Sequence, residues 1–388
     1  MLQHTILKGL FLQPHLLILL GAFIVLTALM IPAYFYAYRP KYNSTEWIGR
    51  IDRRSFQPLT ANKLNTADIL WSLLVMVCAA FLWLVYCIIW RNVAQLTDPF
   101  VFILRHLRNA IPIAIAALSL YLLMRLMYGK PLAAILISIV GAVSIFSQPK
   151  GIALFSLSLL FLYIWICVPY DAPLFFNALW FAFSAAAYGL ALVFNFPLLW
   201  MAPFYLGVYI VVQVLRWKKG NPEKRGKKLF GSILLTILLV GFGFVAVWLA
   251  YCVRRGKGNP LILLRSFSFY KTMFPALLDN LSSLTKRPSY WDALLFRDSF
   301  CFITGAIAMI PLLHGLFKLR DTRCLFLILL LPCLFLAWFF SACYALIPVF
   351  ALIIGWSWSL FVQRGRPLYA VGFAAMYLLF LFAELFIH

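Results

Sequence analysis

The chain has 388 residues, of which 65% are hydrophobic and only 11% are charged, and its mean hydropathy is +0.96. This composition excludes a soluble globular domain and is typical of a polytopic α-helical membrane protein. Lysine and arginine outnumber aspartate and glutamate by 33 to 11, which gives a formal net charge of +22. Nucleic acid is excluded as a partner because the sequence contains no soluble basic domain that would hold it.

Runs of apolar residues set the number of membrane segments, because a helix needs about 20 such residues to cross a bilayer. We therefore predict an all-α polytopic protein in which residues 1–388 form one transmembrane domain of about twelve segments. The runs are solidly apolar rather than alternating, which argues against a β-barrel. Bulky residues follow the first segment where a cleavage site would need small ones, so we interpret it as a retained helix. The segments are 16–37, 69–90, 109–128, 131–147, 151–168, 174–194, 197–215, 229–252, 300–317, 323–340, 342–361 and 367–387.

The first polar loop, residues 38–68, contains three of the eleven acidic residues, Glu46, Asp52 and Asp68. Acid–base chemistry needs a carboxylate outside the lipid, so Glu46 and Asp52 are the candidate catalytic residues. The neighbouring arginines suit a phosphate-bearing lipid, because a guanidinium pairs with phosphate through two hydrogen bonds. These arginines are Arg50, Arg53 and Arg54. The alternatives are a solvated loop whose carboxylates pair with the arginines, and a basic cluster that contacts anionic headgroups.

The short basic connections predict the orientation of the chain, since lysine and arginine are enriched on the cytoplasmic side. Segment 216–228 has seven lysines and arginines against one glutamate. Placing it inside also puts the basic segments 318–323 and 364–366 inside, and puts 253–299 outside. Counting backward puts the first polar loop inside, which disagrees with the basic N-terminus. A re-entrant early segment and a bend near residues 195–197 are both left open.

The long segment 253–299 carries eight lysines and arginines against three aspartates. Its apolar and polar residues recur at helical spacing, which predicts short interfacial helices. Its cations are candidate ligands for lipid phosphate, and its aromatic residues are candidates for stacking on a sugar. The alternative is an anchor in the headgroup zone. The candidates are Arg254, Arg255, Lys257, Lys286, Arg287, Tyr290 and Trp291.

Cysteine and histidine spacing does not predict a metal site. The eight cysteines lie in or beside apolar segments and form no C-x-x-C pair, and the five histidines are scattered. We therefore assign no metal ligand and no disulfide, and a divalent metal as cofactor is left open.

Four stretches of sequence form a familiar pattern. A helix ends in the Arg-x-x-Tyr-Gly turn of residues 125–129, and an Ala/Leu-rich helix leads from it to a polar turn that ends in Lys150. AYGLALVFNFPLLW (187–200) and CYALIPVFALIIGWSW (343–358) follow. Together these stretches resemble the core of the GT-C superfamily of membrane glycosyltransferases.

The resemblance implies a polyprenyl-phosphate-linked sugar donor and a catalytic acid in the first extracytoplasmic loop. The acidic pair of the family is absent from this chain, and Thr45-Glu46 stands at about the corresponding distance from the first helix, with Asp52 following. Lys150 joins the candidates for binding the donor phosphate.

We therefore expect an integral-membrane GT-C-type glycosyltransferase, similar to mannosyltransferases and aminoarabinose transferases, in the plasma, inner or endoplasmic-reticulum membrane. Its partners would be the polyprenyl-phosphate donor, membrane lipids and a further membrane protein. The alternatives are a flippase or transporter of lipid-linked oligosaccharides, an O-antigen polymerase or ligase, and a non-catalytic GT-C-like subunit.

Overall fold

The computed structural model describes residues 61–90, 99–144, 149–169, 172–194, 196–219, 225–255, 299–319, 322–341 and 346–387. These residues form α-helices and one 3-10 helix, and no strand occurs among them. The helices are α1 (Thr66–Trp90), α2 (Pro99–Tyr128), α3 (Pro131–Ser144), α4 (Pro149–Cys167), α5 (Leu174–Phe194), the 3-10 helix η1 (Phe196–Met201), α6 (Ala202–Lys219), α7 (Arg225–Arg255), α8 (Ser299–Leu319), α9 (Thr322–Ser341), α10 (Leu346–Gln363) and α11 (Pro367–Ile387).

Five of the described helices contain stretches long and apolar enough to cross a membrane. These stretches are Thr66–Cys87, Ala110–Tyr128, Lys150–Cys167, Leu174–Leu192 and Leu198–Trp217. Each predicted segment from residue 69 onward falls on a described helix, and segment 16–37 lies outside the described residues. The prediction of an all-helical membrane protein is thus confirmed at this level, and the number of twelve segments stays a prediction.

Two helices end with the same sequence signal, a glycine followed by a proline two residues later. Gly129 has a φ of 70° and donates its N–H to the carbonyl of Arg125 at 3.0 Å, which closes α2. Gly365 has a φ of 73°, and the N–H of Arg366 donates to the carbonyl of Phe361 at 2.9 Å, which closes α10. Glycine adopts this left-handed conformation without the steric cost of a Cβ, so both helices stop sharply.

The start of α1 lies against the end of α2. The backbone N–H of Asn62 donates to the carbonyl of Leu126 at 2.9 Å. Arg323, at the start of α9, donates to the carbonyl of Met127 at 2.6 Å, so α9 begins at the same level. We call this end of the bundle the basic end and the opposite end the far end. The basic end includes Lys63, Lys130, Arg216, Arg323 and Arg366.

The segment 253–299 joins two helices at the far end. Gly231, near the start of α7, lies beside Leu174 at the start of α5, because a Cβ added to it would be 3.5 Å from the leucine side chain. Gly243, further along α7, lies in the same way beside Ala186, further along α5, at 3.5 Å. The two helices therefore run parallel, away from the basic end. α7 therefore finishes at the far end, where α8 also begins. The three basic connections near residues 216–228, 318–323 and 364–366 meet helix ends at the basic end.

The 3-10 helix η1 separates α5 from α6 near the far end. The Tyr188 hydroxyl donates to the carbonyl of Leu198 at 2.6 Å and so satisfies a backbone group that the break in the helix releases. The stretch Leu174–Leu192 of α5 and the stretch Leu198–Trp217, which covers part of η1 and most of α6, are each long and apolar enough to cross a membrane. The interruption near residues 195–197 therefore joins two such stretches.

The centre of the bundle is formed by α2, α3 and α10, which contact one another. Small residues let these helices approach closely, as membrane helices often do. A Cβ at Gly355 of α10 would overlap the end of the Met124 side chain of α2 and would lie 3.0 Å from Ile137 of α3. Gly355 therefore sets the separation of three helices.

We expect Gly355→Leu to lower the free energy of unfolding by about 1–3 kcal/mol, because overpacking forces its neighbours to move. The matched control is Gly372→Leu on α11, where no atom lies within 4 Å of an added Cβ. Thermal midpoints of the detergent-solubilised variants provide the measurement. Equal midpoints for the two variants would contradict the close approach at Gly355.

Candidate functional site

The last turn of α2 carries three backbone carbonyls that have hydrogen-bond partners outside the regular helix. The backbone N–H of Gly129 donates to the carbonyl of Arg125, and the side chain of Arg323 donates to the carbonyl of Met127. The carbonyl of Leu126 accepts two bonds from Asn62, from its backbone N–H at 2.9 Å and from its side-chain Nδ2 at 2.8 Å. A helix C-terminus leaves four carbonyls without helical partners, so these contacts complete most of the cap.

Arg323 also lies over two aromatic rings. Its guanidinium carbon is 5.8 Å from the centroid of Tyr128 and 5.7 Å from that of Trp356, and the two rings are 5.2 Å apart. These distances fit cation–π contacts. Arg323 therefore joins α9, α2 and α10 at the basic end.

Beside this turn, Asp68 of α1 forms a buried ion pair with Arg125 of α2. Arg125 Nε donates to Asp68 Oδ1 at 2.8 Å, and the Tyr121 hydroxyl donates to the same oxygen at 2.9 Å. The backbone N–H of Asn65 donates to Asp68 Oδ2 at 2.8 Å. Arg125 Nη2 also reaches Asn65 Oδ1 at 3.2 Å. Asn62, Asn65, Asp68, Tyr121 and Arg125 are called the Asp68 cluster below.

The local sequence explains why Asp68 occupies this place. Asn65 precedes the first residue of α1, and an acid three residues later returns its carboxylate to the N–H of that capping residue. Tyr121 and Arg125 are four residues apart on α2 and so lie on one face. The Asp68 carboxylate thus joins the start of α1 to one face of α2.

The Asp68 cluster is built to hold a position rather than to transfer a proton. Asp68 is only 3% exposed, and both of its oxygens accept hydrogen bonds. A buried carboxylate needs this full set of partners, because an unpaired charge in an apolar interior is very costly. Asp68 therefore fixes the start of α1, which overlaps the last residues of the first polar loop, to the end of α2.

Arg216 covers the end of α4 in a similar way. Its Nη2 donates to the carbonyl of Trp165 at 2.6 Å and approaches that of Val168 at 3.3 Å. Its guanidinium carbon lies 4.9 Å from the centre of the Trp165 ring. The C-termini of α2 and α4 are therefore capped in the same way at the basic end, each by an arginine that comes from another helix and lies over an aromatic ring. The arginine is Arg323 for α2 and Arg216 for α4.

The predicted site residues are divided between the two ends. Lys150 is the second residue of α4 and lies half-buried at the far end, and Arg254 and Arg255 are the last residues of α7 at the same end. The structure does not bring these three to the start of α1. The other candidates lie outside the described residues: Glu46, Arg50, Asp52, Arg53, Arg54, Lys257, Lys286, Arg287, Tyr290 and Trp291.

Asp68, Tyr121 and Arg125 were not among the site residues predicted from the sequence. The available signals were the spacing of Asn65 and Asp68, which marks a helix start, and the tyrosine and arginine four residues apart on α2. Among the described residues, no group of three histidine, cysteine, aspartate or glutamate side chains lies together in a way that would hold a metal ion.

No protein-family model, no curated protein and no solved structure matches this chain. A functional assignment therefore depends on the residues of the chain and on the geometry described above.

We expect Asp68→Leu and Arg125→Met, made singly, each to destabilise the protein by about 3–5 kcal/mol, because each leaves a buried charge without its partner. The double variant removes both charges and should recover a large part of that loss. Thermal or denaturant unfolding of the four proteins in detergent measures the coupling. Strictly additive effects of the two substitutions would show that the ion pair does not join α1 to α2.

Proposed function

We propose that the protein is a multi-pass membrane glycosyltransferase of the GT-C type that uses a polyprenyl-phosphate-linked sugar. The observation that carries the proposal is the Arg-x-x-Tyr-Gly turn of residues 125–129. In this turn the arginine pairs with a buried acid, the tyrosine ring packs at a tilt against Trp356, and the glycine closes α2 before α3 begins. Each of these three residues therefore has a distinct physical role.

The proposed reaction moves a sugar from the lipid phosphate to an acceptor hydroxyl or amine. The bond between the anomeric carbon and the phosphate oxygen breaks, and the lipid phosphate leaves with the electron pair. A new bond forms between the anomeric carbon and the acceptor, whose proton passes to a carboxylate base. Glu46 and Asp52 are the proposed bases, and cations stabilise the departing phosphate.

Orientation follows from the distribution of charge. The basic end carries the short, lysine- and arginine-rich connections, so the positive-inside rule places it in the cytoplasm. The far end, with Lys150, Arg254 and Arg255, then faces outward. The resemblance puts the catalytic acid in an extracytoplasmic loop, whereas the first polar loop leads into α1 at the basic end.

This division favours a second candidate function, a flippase for lipid-linked oligosaccharides. A flippase must bind the charged headgroup on both membrane faces. The first polar loop and the segment 253–299 are both basic, and the helices that they adjoin, α1 and α7, meet them at opposite ends of the bundle.

The test of the transferase proposal is the release of polyprenyl phosphate, a product common to every sugar donor. We expect Glu46→Gln or Asp52→Asn to lower this release by about 100-fold or more in proteoliposomes, as loss of a general base commonly does. Asp98→Asn is a third variant, because Asp98 directly precedes the first residue of α2 at the far end. Thin-layer chromatography of the extracted lipid provides the readout.

The matched control is Glu384→Gln on α11, an acid with no proposed role. If only Asp98→Asn abolishes release, the base belongs to the far end and the assignment of Glu46 and Asp52 is wrong. The parent protein decides between the two functions. If it releases no polyprenyl phosphate but moves a labelled lipid-linked sugar across the bilayer, the flippase proposal replaces the transferase proposal.

Orientation has its own test. We expect a membrane-impermeant maleimide to label Lys63→Cys in inverted vesicles but not in intact cells, and to label Lys150→Cys in intact cells but not in inverted vesicles. The parent chain, which contains eight cysteines, gives the background. Labelling of both positions from one side would contradict the placement of Lys63 at the basic end and of Lys150 at the far end.

A further inference from the structure

Two lysines follow residues that contact each other beside the Asp68 cluster. Asn62 and Gly129 are side by side, since a Cβ at Gly129 would lie 3.1 Å from the Asn62 side chain. Lys63 and Lys130 are the next residues along the chain from these two, and their side chains are exposed and half-buried respectively. Two long, flexible ammonium groups therefore leave the protein from adjacent points.

Arg125 and Asn65 add further donors at the same place. Arg125 uses Nε for Asp68 and Nη2 for Asn65, and a guanidinium has five N–H groups, so it keeps donors beyond these bonds. Asn65 is exposed and accepts from Arg125 through Oδ1, which leaves its NH₂ group as a donor. Lys63 and Asn65 are exposed, Lys130 is half-buried and Arg125 lies buried behind them. These four side chains offer donors and no charged acceptor.

Among the described residues of this group, the charge balance is positive. Asp68 offsets Arg125, and its two oxygens already accept hydrogen bonds and are turned away from solvent. Lys63 and Lys130 then contribute two further positive charges. A ligand for such a set must supply several acceptor oxygens and negative charge, and a phosphate group has both.

We propose that Lys63, Asn65, Arg125 and Lys130 form a phosphate-binding site, the Lys63–Lys130 site, at the basic end. The phosphate is that of a lipid headgroup at the membrane surface or of a soluble phosphate compound. This inference goes beyond the proposed transferase, whose described phosphate candidates Lys150, Arg254 and Arg255 lie at the far end. It needs no transfer chemistry, so it stands or fails separately.

The test uses the full-length chain in phosphatidylcholine nanodiscs and follows the thermal midpoint, which rises when a ligand binds the folded state. One arm adds inorganic phosphate, with sodium chloride at matched ionic strength as reference. The other arm includes phosphatidic acid in the nanodisc. We expect the parent midpoint to rise in at least one arm. A rise with inorganic phosphate identifies a soluble ligand, and a rise confined to phosphatidic acid identifies a headgroup.

The Lys63→Gln/Lys130→Gln double variant should weaken the apparent affinity by at least about tenfold, because it removes two charge-assisted contacts. The Lys63→Arg/Lys130→Arg variant should keep the rise, which separates lost binding from a folding defect. Lys227→Gln/Lys228→Gln near the start of α7 is the matched control, because it also removes two positive charges at the basic end, and it should behave as the parent. The proposal is overturned if neither phosphate source raises the midpoint above chloride, or if the double glutamine variant responds like the parent.

Discussion

The rest of the described structure depends on the last turn of α2, where a buried ion pair and an arginine cap meet. Asp68 brings the start of α1 to this turn, and Arg323 brings α9 and α10 to it. In an apolar interior each of these groups would be costly alone, because neither a charge nor a free carbonyl finds water there. The pairing therefore makes the arrangement specific: a helix that shifted by one turn would leave a charge or a carbonyl without its partner.

The same constraint gives part of the positive charge a structural role. The sequence offered two explanations for an excess of 22 positive charges, an inward-facing bias and contact with lipid phosphate. The structure adds the capping of helix ends, since Arg323 and Arg216 both donate to C-terminal carbonyls while lying on an aromatic ring. A cation at a helix C-terminus is also favoured by the helix dipole. Arginines with this role are poor candidates for substrate contacts, whereas Lys63 and Lys130, which flank the cap, are better ones.

The sequence predicted the helices well and the contacts between them poorly, for a physical reason. Apolar runs are local signals, and the predicted segments 109–128 and 342–361 fall on α2 and α10, although α2 begins ten residues earlier than predicted. The turn at Gly129 was named by the resemblance and is present. The bond between Arg125 and Asp68 joins residues 57 positions apart, and no local pattern specifies which buried arginine meets which acid. Asp68 was therefore grouped with the polar loop, although it lies inside α1. Lys150 and the α7 arginines lie at the opposite end of the bundle from the start of α1. This separation depends on the direction in which each helix runs, which the sequence patterns did not give.

This division constrains any mechanism that combines the first polar loop with the segment 253–299. Residue 61, at the basic end, is nine positions after Asp52, and nine extended residues span about 30 Å, roughly the thickness of the hydrocarbon core. Backbone without regular structure does not cross lipid unless protein covers it. A base on this loop therefore acts most simply on a donor whose phosphate is held at the basic end, where the Lys63–Lys130 site lies. A base at the far end would instead use Lys150 and the α7 arginines. Either mechanism therefore requires that the phosphate of the donor and the essential acid lie at the same end of the bundle.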